Sequence, residues 1–170
     1  MTRSKIRTSG AEGLTLSSTA LTVANGLTLT DGDIALASGH GVSFASSSDV
    51  SGMTSELLND YEEGTFSASH AGYQISNCGA YTKIGRMVHF AIDLTAHSGA
   101  SSNLHFFYGL PFTAAGKDCG VAMGYASGSD IPRAYVEQST DRVYLRNSDG
   151  TGNANLGAST RVGVAGTYAT

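Results

Sequence analysis

Tryptophan is absent from this sequence of 170 residues, and cysteine and proline occur only twice each. The two cysteines, Cys78 and Cys119, are too few for a disulfide-framework miniprotein and stand at neither a CxxC nor a metal-ligand spacing. We interpret them as two small apolar residues, and the sequence leaves a single bridge between them open. No stretch approaches 18 consecutive apolar residues, so we expect no transmembrane helix and no membrane partner.

Charged residues are also scarce, at 14% of the chain, which excludes the charge density of a disordered tail. In their place the chain has 22 glycines, 22 serines and 17 threonines, beside 41% hydrophobic residues. This composition predicts an all-β protein. The length suits one domain, with room for an appendage.

The net charge of −4 divides into a basic N-terminal arm and an acidic body. Arg3, Lys5 and Arg7 are three of the ten basic residues, so residues 8–170 carry seven basic against 14 acidic side chains, a net charge of −7. An acidic body argues against nucleic acid as a partner. We interpret residues 1–12 either as a frayed terminus or as an arm that orders on an acidic partner, with these three side chains docking.

A 13-residue repeat follows the arm and fills residues 13–50. Gly13–Leu16 returns as Gly26–Leu29, and Leu21–Ala24 returns as Ile34–Ala37. Each copy predicts two short strands joined by a turn, and Asn25-Gly26 between two copies is a hairpin signal.

The repeat presents one row of aliphatic side chains. Burying them within a single chain's repeat segment would not give a net gain in free energy. Ordering the segment costs more than burying these side chains returns. We therefore expect the row to form an oligomer interface or to cover a partner, with packing on the chain's own C-terminal domain as the alternative. The predicted interface residues are Leu14, Leu16, Leu21, Val23, Leu27, Leu29, Ile34 and Leu36.

Residues 51–64 are predicted to be a linker with a short helix. Thr54 or Ser55 can cap a helix over Glu56–Tyr61, and Gly64 can end it.

Beyond Gly64 the hydrophobic period becomes two. Val88, Phe90, Ile92 and Leu94 alternate with polar or small residues and define the clearest strand. Together with weaker candidates, it predicts an antiparallel β-sandwich or jelly-roll-like domain over residues 65–170. The weaker candidates are Thr65–Ala71, Ala80–Ile84, Asn103–Tyr108, Cys119–Ala126, Arg133–Gln138, Arg142–Asn147 and Arg161–Tyr168.

Residue types that carry out chemistry form no recognisable motif. The five histidines include no HxH or HExxH pattern, and Asp31-Gly32-Asp33 has too few oxygen ligands for a calcium loop, so we expect no metal and no cofactor. Glu62 and Glu63 are interpreted as solvated carboxylates at a helix end. Without a nucleophile elbow, P-loop or dinucleotide fingerprint, we expect no enzyme and no catalytic residue. The run His105–Tyr108 suits a sugar-binding platform, but a buried strand is favoured.

The segment Leu57–Phe66, LLNDYEEGTF, resembles an LLxDYEEGTW segment in virion structural proteins of tailed bacteriophages, especially those of aquatic hosts and cyanobacteria. In that family the segment follows a stretch like Gly39–Phe44 and precedes a strand like Ala80–Val88. Leu110–Thr113 is similar to the family's LPF turn, whereas Phe66 stands where the family has tryptophan. The final 57 residues carry no matching motif.

The resemblance implies a fibre, spike or head decoration, usually a homotrimer, and supplies no catalytic residues. Our leading hypothesis is a homotrimeric capsid decoration (cement) protein, assembled into the virion in the host cytoplasm. Its partners would be copies of itself and the major capsid protein or another virion protein, with Arg3, Lys5 and Arg7 docking on the capsid. The alternative is a tail fibre or tail-tip protein that binds a host surface receptor, and a host glycan is expected only under this alternative. A depolymerase is disfavoured because the chain is short and has no carboxylate-rich β-helix.

Overall fold

The computed structural model describes residues 28–44, 51, 57–58, 60–70, 75–97, 105–127, 133–154 and 159–170, without the side chains of Ser76 and Asn77. The chain divides into two units, Met1–Ala35 and Leu36–Thr170. Within the described ranges the regular elements are all strands, and no helix there is long and apolar enough to cross a membrane. The strands are β1 Val42–Ser43, β2 Leu57–Leu58, β3 Tyr61–Phe66, β4 Ile75–Ile84, β5 Met87–Ala96, β6 Phe106–Tyr108, β7 Cys119–Ala126, β8 Arg133–Val136, β9 Arg142–Arg146 and β10 Arg161–Ala169.

Eight strands form one curled antiparallel sheet in the order β3-β4-β5-β10-β7-β8-β9-β6, and β1 pairs with β2 separately. The last strand in sequence, β10, lies between β5 and β7. Beyond β3, the backbones of Ser69 and Tyr108 exchange hydrogen bonds of 2.8 and 3.0 Å. Because Tyr108 belongs to β6, the two edges of the sheet meet at this point.

The hairpin of β4 and β5 is the longest in the sheet, with Ile75 opposite Ala96 and Ile84 opposite Met87. A two-residue loop joins the strands, and its first residue, Gly85, has a φ of 57°. Glycine suits this position because the tight loop needs a backbone conformation that a side chain disfavours.

The core lies on the inner side of the curled sheet. Along β5 and β10, buried apolar residues alternate with more exposed ones, as expected for strands with one face against a core. The rings of Phe90 and Tyr168 meet edge to face, with centroids 5.9 Å apart. The largest fully buried side chains come from five strands: Tyr168, Phe90, Phe107, Leu94, Leu145, Val88, Val136, Val143 and Val162.

The predicted all-β class and antiparallel pairing are confirmed. The bounds of β7 are those predicted, and the strongest predicted strand lies within β5. The strands follow one another in a single hydrogen-bonded order, so the two-layer sandwich or jelly-roll arrangement stays a prediction.

The predicted short helix over Glu56–Tyr61 is wrong. Leu57–Leu58 pairs with Val42–Ser43 instead, and Tyr61 begins β3. A helix of six residues is marginal in isolation, whereas the extended segment pairs with β1 at Leu57–Leu58 and with β4 from Tyr61 onward. The sheet therefore begins before residue 65, which was the predicted start of the β-domain.

The described part of the 13-residue repeat does not form the predicted strand. Residues 28–41 contain no strand, so the strand predicted over Ile34–Ala37 is wrong, and the first copy lies outside the described residues. The predicted turn at Ser38-Gly39 is present, with a φ of 82° at Gly39 and a 3.0 Å hydrogen bond from His40 N to Ala37 O. Strands of three or four residues need a hydrogen-bonded neighbour, and among the described residues no strand pairs with residues 28–41.

Candidate functional site

Three aromatic side chains form a row across β8, β9 and β6 on the outer side of the sheet. Their neighbours along each strand are buried, so the period of two turns Tyr135, Tyr144 and Phe106 outward. Tyr144 lies directly opposite both Tyr135 and Phe106. The ring centroids of Tyr135 and Tyr144 are 5.6 Å apart, with an angle of 13° between the ring planes. Those of Tyr144 and Phe106 are 5.4 Å apart, with an angle of 31°. The row is therefore continuous over three strands.

Two arginines of β9 pack on this row. The guanidinium carbon of Arg146 lies 5.5 Å from the ring centroid of Tyr135 and 5.7 Å from that of Tyr144. The guanidinium carbon of Arg142 lies 5.5 Å from the centroid of Phe106. These distances fall within the range of cation–π attraction, so the rings hold the cations against the sheet.

Hydrogen bonds fix the position of Arg146. Its Nη2 donates to the hydroxyl of Tyr135 at 3.0 Å, and its Nη1 donates to Oδ1 of Asn153 at 2.6 Å. The turn before Asn153 is closed by Asp149, which accepts hydrogen bonds from the backbone N and the Oγ1 of Thr151 at 2.8 and 2.7 Å. These bonds stabilise the carboxylate and lower the pKa of Asp149.

Positive charge is concentrated on this side of the sheet. Arg133 lies directly opposite Arg146 on the neighbouring strand, and like charges in that position repel. Within the part of the chain that the structure describes, no carboxylate makes a close ion pair with Arg133, Arg142 or Arg146, although the carboxylate of Asp149 attracts Arg133 from farther away. The ion pairs there are Lys83–Asp60 and Arg161–Asp93. We call Phe106, Tyr135, Tyr144, Arg133, Arg142 and Arg146 the aromatic–arginine face.

Two histidines border this face at Phe106. The ring centroids of His70 and His105 lie 4.7 and 5.0 Å from that of Phe106. Among the described residues, no three His, Cys, Asp or Glu side chains come together in a way that could hold a metal ion. The two histidines contact the face as aromatic rings.

The outer side of β4, β5, β10 and β7 carries a second feature, an open depression of about 390 Å³. Asp93 on its wall accepts a hydrogen bond of 2.9 Å from Nε of Arg161, which lowers the pKa of Asp93. Cys78, also on the wall, is exposed, and Cys119 is half-buried. Both are free thiols, so the bridge that the sequence left open is not formed. Glycine and alanine make up much of the remaining lining, so the depression offers few groups for specific recognition.

The residues that carry the phage resemblance have structural contacts. Lys83 is buried on β4, and its ammonium pairs with Asp60 and lies 5.2 Å from the ring centroid of Phe112. A buried lysine needs such a partner because an isolated charge is costly in the interior. Asp60 therefore holds the start of β3 against β4.

Glu62 and Glu63 are exposed to solvent, as predicted, but they lie on strand β3, so the predicted helix end is wrong. Successive strand residues point to opposite faces: Glu62 accepts a hydrogen bond from Tyr81, and Glu63 accepts one from Tyr61. These bonds raise the pKa of both tyrosines. A Cβ on Gly64 would lie 2.8 Å from the ring of Tyr81, which explains the glycine. The two carboxylates form separate structural contacts and do not pair for acid–base chemistry.

The predicted docking and interface residues are described only in part. Arg3, Lys5 and Arg7 lie outside the described residues, as do Leu14, Leu16, Leu21, Val23 and Leu27. The remaining interface residues are exposed in the single chain: Leu29 by 48%, Ile34 by 66% and Leu36 by 51%. Their role in an interface stays a prediction.

No motif in the sequence predicts the aromatic–arginine face as a whole. Of the run His105–Tyr108, Phe107 is buried but Phe106 is only partly buried and lies on the outer side. A further signal lay in the alternation of Arg142, Tyr144 and Arg146 with buried apolar residues, since it places three potential binding groups on one face of a strand.

In comparisons with known proteins, no family model, no curated protein and no solved structure matches this chain.

Proposed function

We propose that the chain is a non-enzymatic structural protein of a tailed-bacteriophage virion, namely a homotrimeric capsid decoration protein. Its N-terminal region binds and stabilises the head shell, while its β-domain faces solvent. Its partners are further copies of the chain and the major capsid protein or another virion protein, with assembly in the host cytoplasm.

The observation that carries this proposal is the exposure of the aliphatic row in the described part of the repeat. Leu29, Ile34 and Leu36 each leave about half or more of their surface open to water. Exposed aliphatic side chains clustered in one segment are typical of a surface that associates with another protein. Val42, which is in β1, and Phe44 are further exposed apolar residues in this part of the chain.

The resemblance at Leu57–Phe66 supports the same proposal. Asp60, Glu62 and Gly64 are accounted for by contacts that hold β3 on β4. The residues shared with the phage family therefore serve the fold, which suits a structural protein.

The basic arm supplies the test. Deleting residues 1–12, or replacing Arg3, Lys5 and Arg7 by glutamine, should abolish addition of the purified protein to preformed heads, because the arm docks by charge on an acidic shell. The control replaces Thr2, Ser4 and Thr8 by alanine and should bind as the unchanged chain does. Occupancy on heads is measured by quantitative electrophoresis of sedimented particles, and undiminished occupancy of the deletion variant would contradict the proposal.

A tail fibre or tail-tip protein that binds a host receptor is the second candidate. The aromatic–arginine face favours it, because partly exposed rings and arginines together suit recognition of a ligand. The number of copies in a purified particle separates the two candidates: a head decoration is present in hundreds of copies and a fibre in a handful.

A further inference from the structure

We propose that the aromatic–arginine face binds an acidic polysaccharide bearing uronic carboxylates. Sugar rings pack along the row of Tyr135, Tyr144 and Phe106, and their carboxylates pair with the arginines. The face belongs to the β-domain alone, so this binding goes beyond the virion role and is the same for a protein on the head or on the tail.

The aromatic row provides a surface of suitable shape. Its three rings stand side by side on neighbouring strands, with centroids 5.4 to 5.6 Å apart, and each ring is only partly buried. The C–H faces of a sugar are apolar, so they pack against the part of the ring surface that Arg142 and Arg146 leave open to water. A row of rings on a sheet can follow several consecutive sugars of an extended chain.

The arginines provide the charge complement. Arg133 and Arg142 are exposed, whereas Arg146 is held by Tyr135 and Asn153. A guanidinium donates two parallel hydrogen bonds to a carboxylate, which makes arginine the preferred partner for this group. Because Arg146 is already fixed, little side-chain entropy is lost when it meets a ligand.

The register of the strands also points to an anion. Arg133 and Arg146 are directly opposite each other on neighbouring strands, and the carboxylate of Asp149 attracts Arg133. A carboxylate bound at this point would be attracted by both guanidinium groups. Lys83 and Arg161, by contrast, are already paired with carboxylates of the chain itself.

Charges around the face favour a polysaccharide over single-stranded nucleic acid. Glu137 follows β8, Asp141 precedes β9 and Asp149 follows β9, so carboxylates border the arginines along the chain. A nucleic acid carries a phosphate at every nucleotide and needs a groove of continuous positive charge. A polysaccharide whose acidic sugars alternate with neutral ones can place its carboxylates at the arginines and neutral sugars beside the chain's acidic residues.

The test is calorimetric titration of the full chain with an acidic heteropolysaccharide in which glucuronate alternates with neutral sugars. Dextran serves as the neutral control and a thymidine 20-mer as the nucleic-acid control. We expect binding to the acidic polymer that weakens as salt is raised, and none to dextran. Failure to bind the acidic polymer, or binding to the 20-mer in its place, would overturn the inference while leaving the capsid role intact.

Variants assign the binding to the face. Arg133→Gln with Arg142→Gln changes two exposed side chains and should weaken binding about tenfold or more. Tyr144→Ala should also weaken it, and circular dichroism shows whether that variant folds. The matched control, Arg86→Gln, removes an exposed arginine outside the face and should leave the affinity unchanged. Equal affinity of the double variant and the unchanged chain would place the binding elsewhere and refute the assignment.

Discussion

Tyr168 shows how one hydroxyl links the last strand to a distant loop. Its side chain is almost fully buried, and its hydroxyl donates to the carbonyl of Phe112 at 3.0 Å and accepts from the Phe112 amide at 3.3 Å. Burial raises the pKa of Tyr168 to about 12, since the phenolate would lose its hydration. The ring, in turn, packs on Phe90 in the core.

Replacing Tyr168 by phenylalanine should lower the free energy of unfolding by about 1–2 kcal/mol at pH 7, because the backbone of Phe112 loses its partner. The native protein retains the Tyr168 proton up to about pH 12, whereas the unfolded chain releases it near the ordinary tyrosine pKa of 10.0. This contribution to stability is therefore complete below pH 10 and falls as the pH rises toward 12. The advantage of the unchanged chain over the variant should shrink across this window.

Urea unfolding followed by circular dichroism at several alkaline pH values measures this difference. Tyr125→Phe is the control, since Tyr125 is 56% exposed and its replacement should leave stability at pH 7 within about 0.5 kcal/mol. An advantage that stayed constant from pH 8 to pH 12 would show that Tyr168 ionises alike in both states.

At the scale of elements, glycines set how closely β10 approaches β7. A Cβ on Gly166 would lie 2.6 Å from Cβ of Val121 and 3.3 Å from its Cα, so the strands have no room for it. Gly120 is the contrasting case, because nothing lies within 4 Å of the position its Cβ would take. Both residues are on paired strands, but only Gly166 lies where a side chain would prevent the packing of the strands.

We expect Gly166→Ala to lower the free energy of unfolding by about 1–3 kcal/mol through overpacking. Gly120→Ala, the matched control, should be neutral or stabilising by up to about 1 kcal/mol, since alanine loses less backbone entropy in a strand. Adding Val121→Ala to Gly166→Ala should restore part of the loss by making space. Urea titrations of the three variants measure their free energies of unfolding. Equal decreases for Gly166→Ala and Gly120→Ala would show that the contact between Gly166 and Val121 does not limit the approach of the strands.

Elements that are defined by local pattern could be predicted from the sequence. Alternation of Val88, Phe90, Ile92 and Leu94 identified β5, and glycine, serine and aspartate between apolar runs separated the later strands. The helix predicted over Glu56–Tyr61 is wrong because capping signals are local, whereas the strand pairings that override them join Leu57–Leu58 to β1 and Tyr61 to β4.

The candidate site could be predicted only as separate pieces. The Arg-Tyr-Arg alternation in β9 is visible in the sequence, but its meaning depends on the neighbours of β9. That β8 and β6 flank it, and that Tyr135 and Phe106 both face Tyr144, follows from the hydrogen-bond order of the sheet. Such an order is set by long-range contacts, which periodicity does not report.

At the scale of the whole molecule, folding and assembly are expected to use different residues. The buried core lies within residues 68–168, whereas Leu29, Ile34 and Leu36 are exposed. Substitutions in this aliphatic row should therefore affect association without affecting the core. The two properties can be measured separately on one set of variants.

Replacing Leu29, Ile34 and Leu36 together by asparagine should convert a trimer in solution to a monomer, because the apolar surface that drives association is lost. The unfolding transition of the β-domain, extrapolated to low protein concentration, should be unchanged, since none of the three residues belongs to the core. The control replaces the exposed Thr28, Thr30 and Asp33 by asparagine and should remain trimeric. Light scattering after gel filtration gives the mass. A monomeric unchanged chain would exclude a trimer in free solution and confine assembly to the particle, and a trimeric triple variant would show that the row is not the interface.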